Sequence, residues 1–166
     1  MPVHIDHRYQ ANAGFSLVEL LVVMGILGTL FGLTMVDLSN LIPRANLSSA
    51  TETISIDLKA QQLKAMIGDT ESRAAADLYG IYFQSNQYIL FHGASYSAGQ
   101  ADNIPIVVES EFEITPDLPN DSIVFQRVSG EVVNFNASDS SILVTNSANN
   151  EARTLTINKI GVVSGN

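Results

Sequence analysis

Residues Gly14 to Gly28 read GFSLVELLVVMGILG, and the apolar run they open reaches Val36 with Glu19 as its single charge. As a helix rising about 1.5 Å per residue, Phe15 to Val36 would cover roughly 33 Å, close to the hydrocarbon thickness of a bilayer. One membrane span is therefore expected. A carboxylate at membrane depth costs on the order of 2.5 to 3.5 kcal/mol on insertion scales, so Glu19 needs a partner there. A hydrated or protonated carboxylate near the interface is the plainer account of the same residue.

The flanks set an orientation. Met1 to Gly14 is polar, carries His4, His7 and Arg8, and ends in the small pair Ala13-Gly14 ahead of the apolar run. A secretory signal peptide has the reverse order, with its small-residue cleavage site after the apolar region. The first charge beyond the run is Asp37. The positively biased flank is amino-terminal, so the amino end is expected in the cytoplasm and the remainder outside.

Gly14-Phe15-Ser16-Leu17-Val18-Glu19-Leu20-Leu21 resembles the prepilin signature of the type IV filament superfamily, shared by type IV pilins and type II secretion pseudopilins. The likeness combines a polar leader, a terminal glycine, an aromatic next to it, a glutamate five residues into the mature chain and an uninterrupted span. It implies that a prepilin peptidase cuts between Gly14 and Phe15, that Phe15 is N-methylated, and that the subunit passes from the membrane into a helical filament. It also implies that Glu19 pairs with the terminal amine of a neighbouring subunit. Many major pilins carry a mid-span proline where this chain has Val36, and the first proline of the mature chain is Pro43, which points to a minor subunit.

Gly25, Gly28 and Gly32 fall within about 60° of one another at about 100° per residue, a smooth stripe along which a second helix can approach closely. The general abundance of glycine in membrane helices explains the same residues equally well. Past Pro43 the helical pattern continues on two faces. Leu47, Ala50, Ile54, Leu58 and Ala65 share one, while Ile56, Ala60, Leu63 and Ile67 share the opposite one. A surface helix of a monomer needs a single apolar stripe, so two suggest one face for the chain's own sheet and one for a neighbour. Burial of both faces within the domain would give the same pattern. Gly68 is the expected stop.

Beyond it the period becomes strand-like. Tyr79 to Phe83 and Tyr88 to Phe91 read as a hairpin about Ser85-Asn86. Further strands are expected at 104–109, 112–115, 123–128, 142–145 and 154–160, separated by Gly, Pro, Asn, Asp and Ser clusters. The pattern is thus α+β, a long helix packed on an antiparallel sheet, and the resemblance implies that the arrangement is pilin-like. The expected divisions are a leader at 1–14, a span at 15–36, an amphipathic continuation at 37–67 and a β-rich head at 68–166. YGIYF, SIVFQRVSGEV and RTLTINKIGVV are similar to the sheet strands of the GspH/FimT group of minor pseudopilins and pilins.

Composition narrows the partners. The 166 residues suit one domain, and 8 Lys+Arg against 17 Asp+Glu leave a formal net charge of −9. No lysine or arginine occurs between Arg73 and Arg127, while Asp77, Asp102, Glu109, Glu111, Glu113, Asp117 and Asp121 do. Such a surface repels nucleic acid, so none is expected as a partner, although the acidity also serves plain solubility. The lack of cysteine removes disulfides and thiolate chemistry.

No enzyme is expected. His92, the one histidine after the leader, sits beside a strand where a structural role is the ordinary one. GASYSAG has the glycines and serines of a nucleophile elbow without its strand-turn-helix setting. Asp117, Asn120, Asp121 and Ser122 are hard oxygen groups suited to calcium, yet a turn uses the same residue types for backbone hydrogen bonds. No cofactor is expected. The best specific reading is a minor pseudopilin of a type II secretion system whose partners are other pseudopilins, the peptidase and an inner-membrane assembly platform. The alternatives are a minor type IV pilin serving adhesion, motility or DNA uptake, and an anchored ligand-binding β-domain that never polymerises.

Overall fold

The structure, a computed structural model, describes residues 15–133 and 135–165, the side chains of 33–46 excepted. The leader and Gly14 therefore lie outside the described residues, as do the side chains of Val36, Asp37 and Pro43. Helix α1 is Leu17–Ile67. Contacts divide the chain into two units, 1–40 and 41–166, each described here by itself.

In the first unit the described helix is apolar on every side. Leu17, Val18, Leu20, Leu21, Met24, Leu27, Leu30 and Phe31 are all exposed. A helix apolar all round is stable only where lipid or protein surrounds it. Among the described residues no helix is long and apolar enough to cross a membrane. The last residues of the expected 15–36 span are among those whose side chains are not described, which leaves a shorter stretch than the roughly 20 residues a span requires.

In the second unit α1 buries the first of the two expected stripes. Leu47, Ile54, Leu58 and Ala65 are buried, whereas Ile56, Leu63 and Ile67 are 56%, 57% and 67% exposed. Thr51, buried on the same face, returns its hydroxyl to the Leu47 carbonyl at 3.0 Å, whereas the side-chain oxygen of buried Gln61 has no hydrogen-bond partner among the described residues. Gly68 ends the helix with φ of 67°, and the Asp69 N–H closes on the Lys64 carbonyl at 3.0 Å in the manner of a Schellman cap.

Among the described residues nine strands follow: β1 (Tyr79–Gln84), β2 (Gln87–His92), β3 (Ile104–Val107), β4 (Phe112–Asp117), β5 (Ser122–Phe125), β6 (Val132–Val133), β7 (Ser141–Asn146), β8 (Ala152–Ile157) and β9 (Val163–Gly165). All their pairings are antiparallel, and they form two sheets rather than the single one expected, ordered β3-β2-β1-β5-β6 and β4-β7-β8-β9. β1 and β2 are the expected hairpin, closed by Gln84 opposite Gln87. Its turn also joins the sheets, because the Ser85 carbonyl accepts from Ile114 N–H of β4 at 2.8 Å, while the Asn86 carbonyl, accepting from Val108 N–H at 3.1 Å, extends the β2–β3 pairing.

Alternation along each strand supplies one core. Tyr79, Ile81 and Phe83 of β1, Ile123 and Phe125 of β5, Phe112 and Ile114 of β4, Ile142 and Val144 of β7, and Leu155 and Ile157 of β8 meet Ile54 and Leu58 of the helix. Three expected strands stop early, the 104–109 run at Val107 among them. The 123–128 run ends at Phe125 because Gln126 turns back, with Gly130 N–H donating to the Gln126 carbonyl, and re-enters as β6. The 154–160 run ends at Ile157, where Gly161 at φ of 81° closes a turn onto the Asn158 carbonyl and leads into β9.

Candidate functional site

The amino-terminal residues of the helix carry the chemistry the sequence singles out. Phe15 is 81% exposed. Ser16 caps the helix, since its hydroxyl accepts the Glu19 N–H at 3.2 Å while its carbonyl accepts the Leu20 N–H. Ser16 and Glu19 thus stand at the N-cap and third positions of an S-x-x-E box, with an acidic side chain in the first turn where the helix dipole favours it. Sequence reasoning missed this role of Ser16, although the spacing alone signals it. The Glu19 carboxylate makes no hydrogen bond or ion pair among the described residues.

Further along, a methyl group built on Gly25, Gly28 or Gly32 would meet nothing within 4 Å. Among the described residues nothing uses their smoothness. In the second unit, Ile56 and Leu63 face away from the core their helix covers. Next to that outward stripe Gln62 donates to the Gly130 and Ile160 carbonyls at 2.9 and 2.8 Å, pinning two turns to the helix.

Among the described residues the remaining candidates form no metal constellation. His92 ends β2 with Nδ1 3.0 Å from Asp77 and Nε2 3.2 Å from Asp102. Each ring nitrogen meets one carboxylate, so the ring bridges the loops on either side of the hairpin. Their approach from opposite edges of the ring gives no common point for a cation. Around the turn after β4, Asp121 N–H donates to the Leu118 carbonyl and Ser122 hydroxyl to the Pro119 carbonyl at 3.4 Å, while Asn120 and Asp121 hold φ of 56° and 51°. Asp117 and Asn120 are exposed. Among the described residues no group of three or more histidine, aspartate or glutamate side chains is placed to hold a metal ion.

Residues 9–35 match the family described as the prokaryotic N-terminal methylation motif. The amino-terminal segment therefore carries the type IV prepilin-like signature, and the α+β head behind it is consistent with a pilin-like fold. That signature implies processing by a prepilin peptidase, an anchored amino terminus and assembly with other pilin-like subunits, the work of a structural component rather than an enzyme. No curated protein and no solved structure matched the chain.

Proposed function

We propose that the chain is a minor pseudopilin of a type II secretion pseudopilus. On this reading residues 1–14 are removed, Phe15 is N-methylated, residues 15–36 hold the subunit in the inner membrane, and the head lies in the periplasm until assembly. The observation that carries the reading is the methylation motif on the same helix that turns Ile56 and Leu63 outward. A soluble monomer gains nothing from a second apolar stripe, whereas a filament subunit needs one surface for its own sheet and another for its neighbours. Gly25, Gly28 and Gly32 let a neighbouring helix approach closely, and Glu19, whose carboxylate has no partner among the described residues, takes the Phe15 amine of the next subunit as a register mark. The lack of cysteine supports a secretion subunit over the disulfide-looped adhesive pilins.

The test is mass spectrometry of the mature amino terminus in cells with an active prepilin peptidase, followed by crosslinking through a cysteine placed at Ile56. Methylated Phe15 at the terminus and crosslinks to pseudopilins are expected. Intact Met1-containing protein alone rejects the reading, and crosslinks confined to a retractile pilus transfer it to a minor type IV pilin.

A further inference from the structure

The outer face of the first sheet is the one turned away from the core. Strands β1 and β5 turn Gly80, Tyr82, Ser122 and Val124 away from the core, opposite Ile89 and Phe91 of β2. An exposed apolar face would be a liability, and the loop after β2 covers part of it. Tyr96 from that loop stacks on Tyr82 with centroids 4.2 Å apart and planes within 3°, and meets Phe91 edge-on at 5.8 Å. Gly80 makes room for this arrangement, because a Cβ there would lie 2.6 Å from the Phe91 ring and from the Ile123 carbonyl.

The loop stops short of the β4–β5 turn, and a cavity of about 340 Å³ remains between them. That volume is within the range of small-molecule sites, roughly 300 to 1,000 Å³. Its walls are Tyr82, Ser95 and Tyr96 on one side and Asn120 and Ser122 on the other, with Val124 below. Asn120 and Asp121 are consecutive non-glycine residues in the left-handed region, a conformation that costs free energy and persists where the surroundings demand it. The Tyr82, Ser95 and Tyr96 hydroxyls and the Asn120 amide have no hydrogen-bond partner among the described residues.

We propose that this groove binds a neutral saccharide. No residue lining it is charged, in a chain of net charge −9, so neither an anion nor a cation finds a counter-charge there. Four unpartnered polar side chains beside an apolar floor suit a ring with one aliphatic face and a rim of hydroxyls. An aromatic peptide side chain fits worse. Tyr96 already occupies a face of Tyr82, and a phenyl ring would desolvate the free hydroxyls and amide without pairing them.

The full chain in micelles of a sugar-free zwitterionic detergent can be titrated with maltotriose, cellotriose and chitotriose while amide NMR shifts are followed. At least one trisaccharide is expected to move the Tyr82, Tyr96 and Asn120 resonances saturably. Asn120→Gly relieves the left-handed strain and removes the amide, so it should weaken binding about tenfold while leaving stability unchanged or higher. Tyr96→Ala should weaken it as well. Phenylalanine amide and the anionic sialyllactose serve as competitors. Absence of saturable shifts at these residues with all three sugars, undiminished binding by Asn120→Gly, or preference for either competitor overturns the proposal.

Discussion

Tyr88, buried in strand β2, donates its phenol hydrogen to the Asp57 carboxylate of helix α1 at 2.6 Å. The pair crosses from sheet to helix beside the Ile54 and Leu58 stripe, so the one polar tip of a large core ring is satisfied where the helix edge meets water. Burial first, then the bond to Asp57 and its charge, push the Tyr88 hydroxyl well above its ordinary pKa. The bond therefore stays intact across the physiological range.

Tyr88→Phe should cost about 1.5 kcal/mol of folding stability, the worth of a hydrogen bond to a charged acceptor. Asp57→Ala should cost a similar amount by stranding the hydroxyl. Chemical denaturation of the two single variants and the double variant should return a coupling energy well above zero. Additive losses would mean that the pair contributes nothing beyond its separate contacts.

The two helix stripes should separate folding from assembly. Leu58 is fully buried, and Leu58→Ala should lower stability by about 3 kcal/mol. Ile56→Ser with Leu63→Ser, at positions more than half exposed, should change stability by no more than about 0.5 kcal/mol each and yet reduce incorporation into filaments. Melting curves and crosslinking from cells read the two effects independently.

Glu19 lends its backbone N–H to the Ser16 cap, while its carboxylate is the proposed partner of a neighbouring amine, and two substitutions test the carboxylate alone. Glu19→Gln keeps the polarity and shape of the side chain and loses the charge, Glu19→Val loses both, and the backbone bond of the cap survives in each. Both variants should insert and be cleaved normally but enter filaments poorly. Normal incorporation of Glu19→Gln would show that the charge is not needed for assembly.

Acid should loosen the loop between helix and hairpin. The Lys64 hydrogen bond, the largest influence on Glu71, holds its carboxyl below the usual range against the opposing effect of burial, with Arg73 assisting at 2.9 Å. At Asp77 burial acts upward and is the largest single influence, but the His92 bond, the Leu78 N–H and the His92 and Arg73 charges together carry it below normal. Folded-state values depressed in this way stabilise the fold above about pH 4, and that contribution disappears as pH falls through them. Glu71→Gln and Asp77→Asn should be less stable than the parent at neutral pH. Their deficit should shrink below about pH 3, as followed by urea titration at each pH.

Local periodicity made much of this molecule readable in advance. The Phe15–Glu19 motif, both stripes of the helix, its stop at Gly68 and the Tyr79–Phe91 hairpin each depend on residues a few positions apart, and the spacing of side chains determines which face each one takes. The cap formed by Ser16 was equally local, but the stronger pattern around it drew the reading towards assembly. Only the tertiary structure decided that the strands divide between two sheets, that two-residue β6 and three-residue β9 extend their edges, and that Ile56 rather than Ile54 faces outward. Opposed stripes look alike until the sheet chooses one. The groove belongs to the same class, because Tyr82, Tyr96 and Asn120 carry no shared spacing and meet only once β1 lies between β2 and β5 with the β2–β3 loop folded over them. Strand partners are selected by how the whole set of apolar faces closes on one core, a long-range condition that no window of sequence contains.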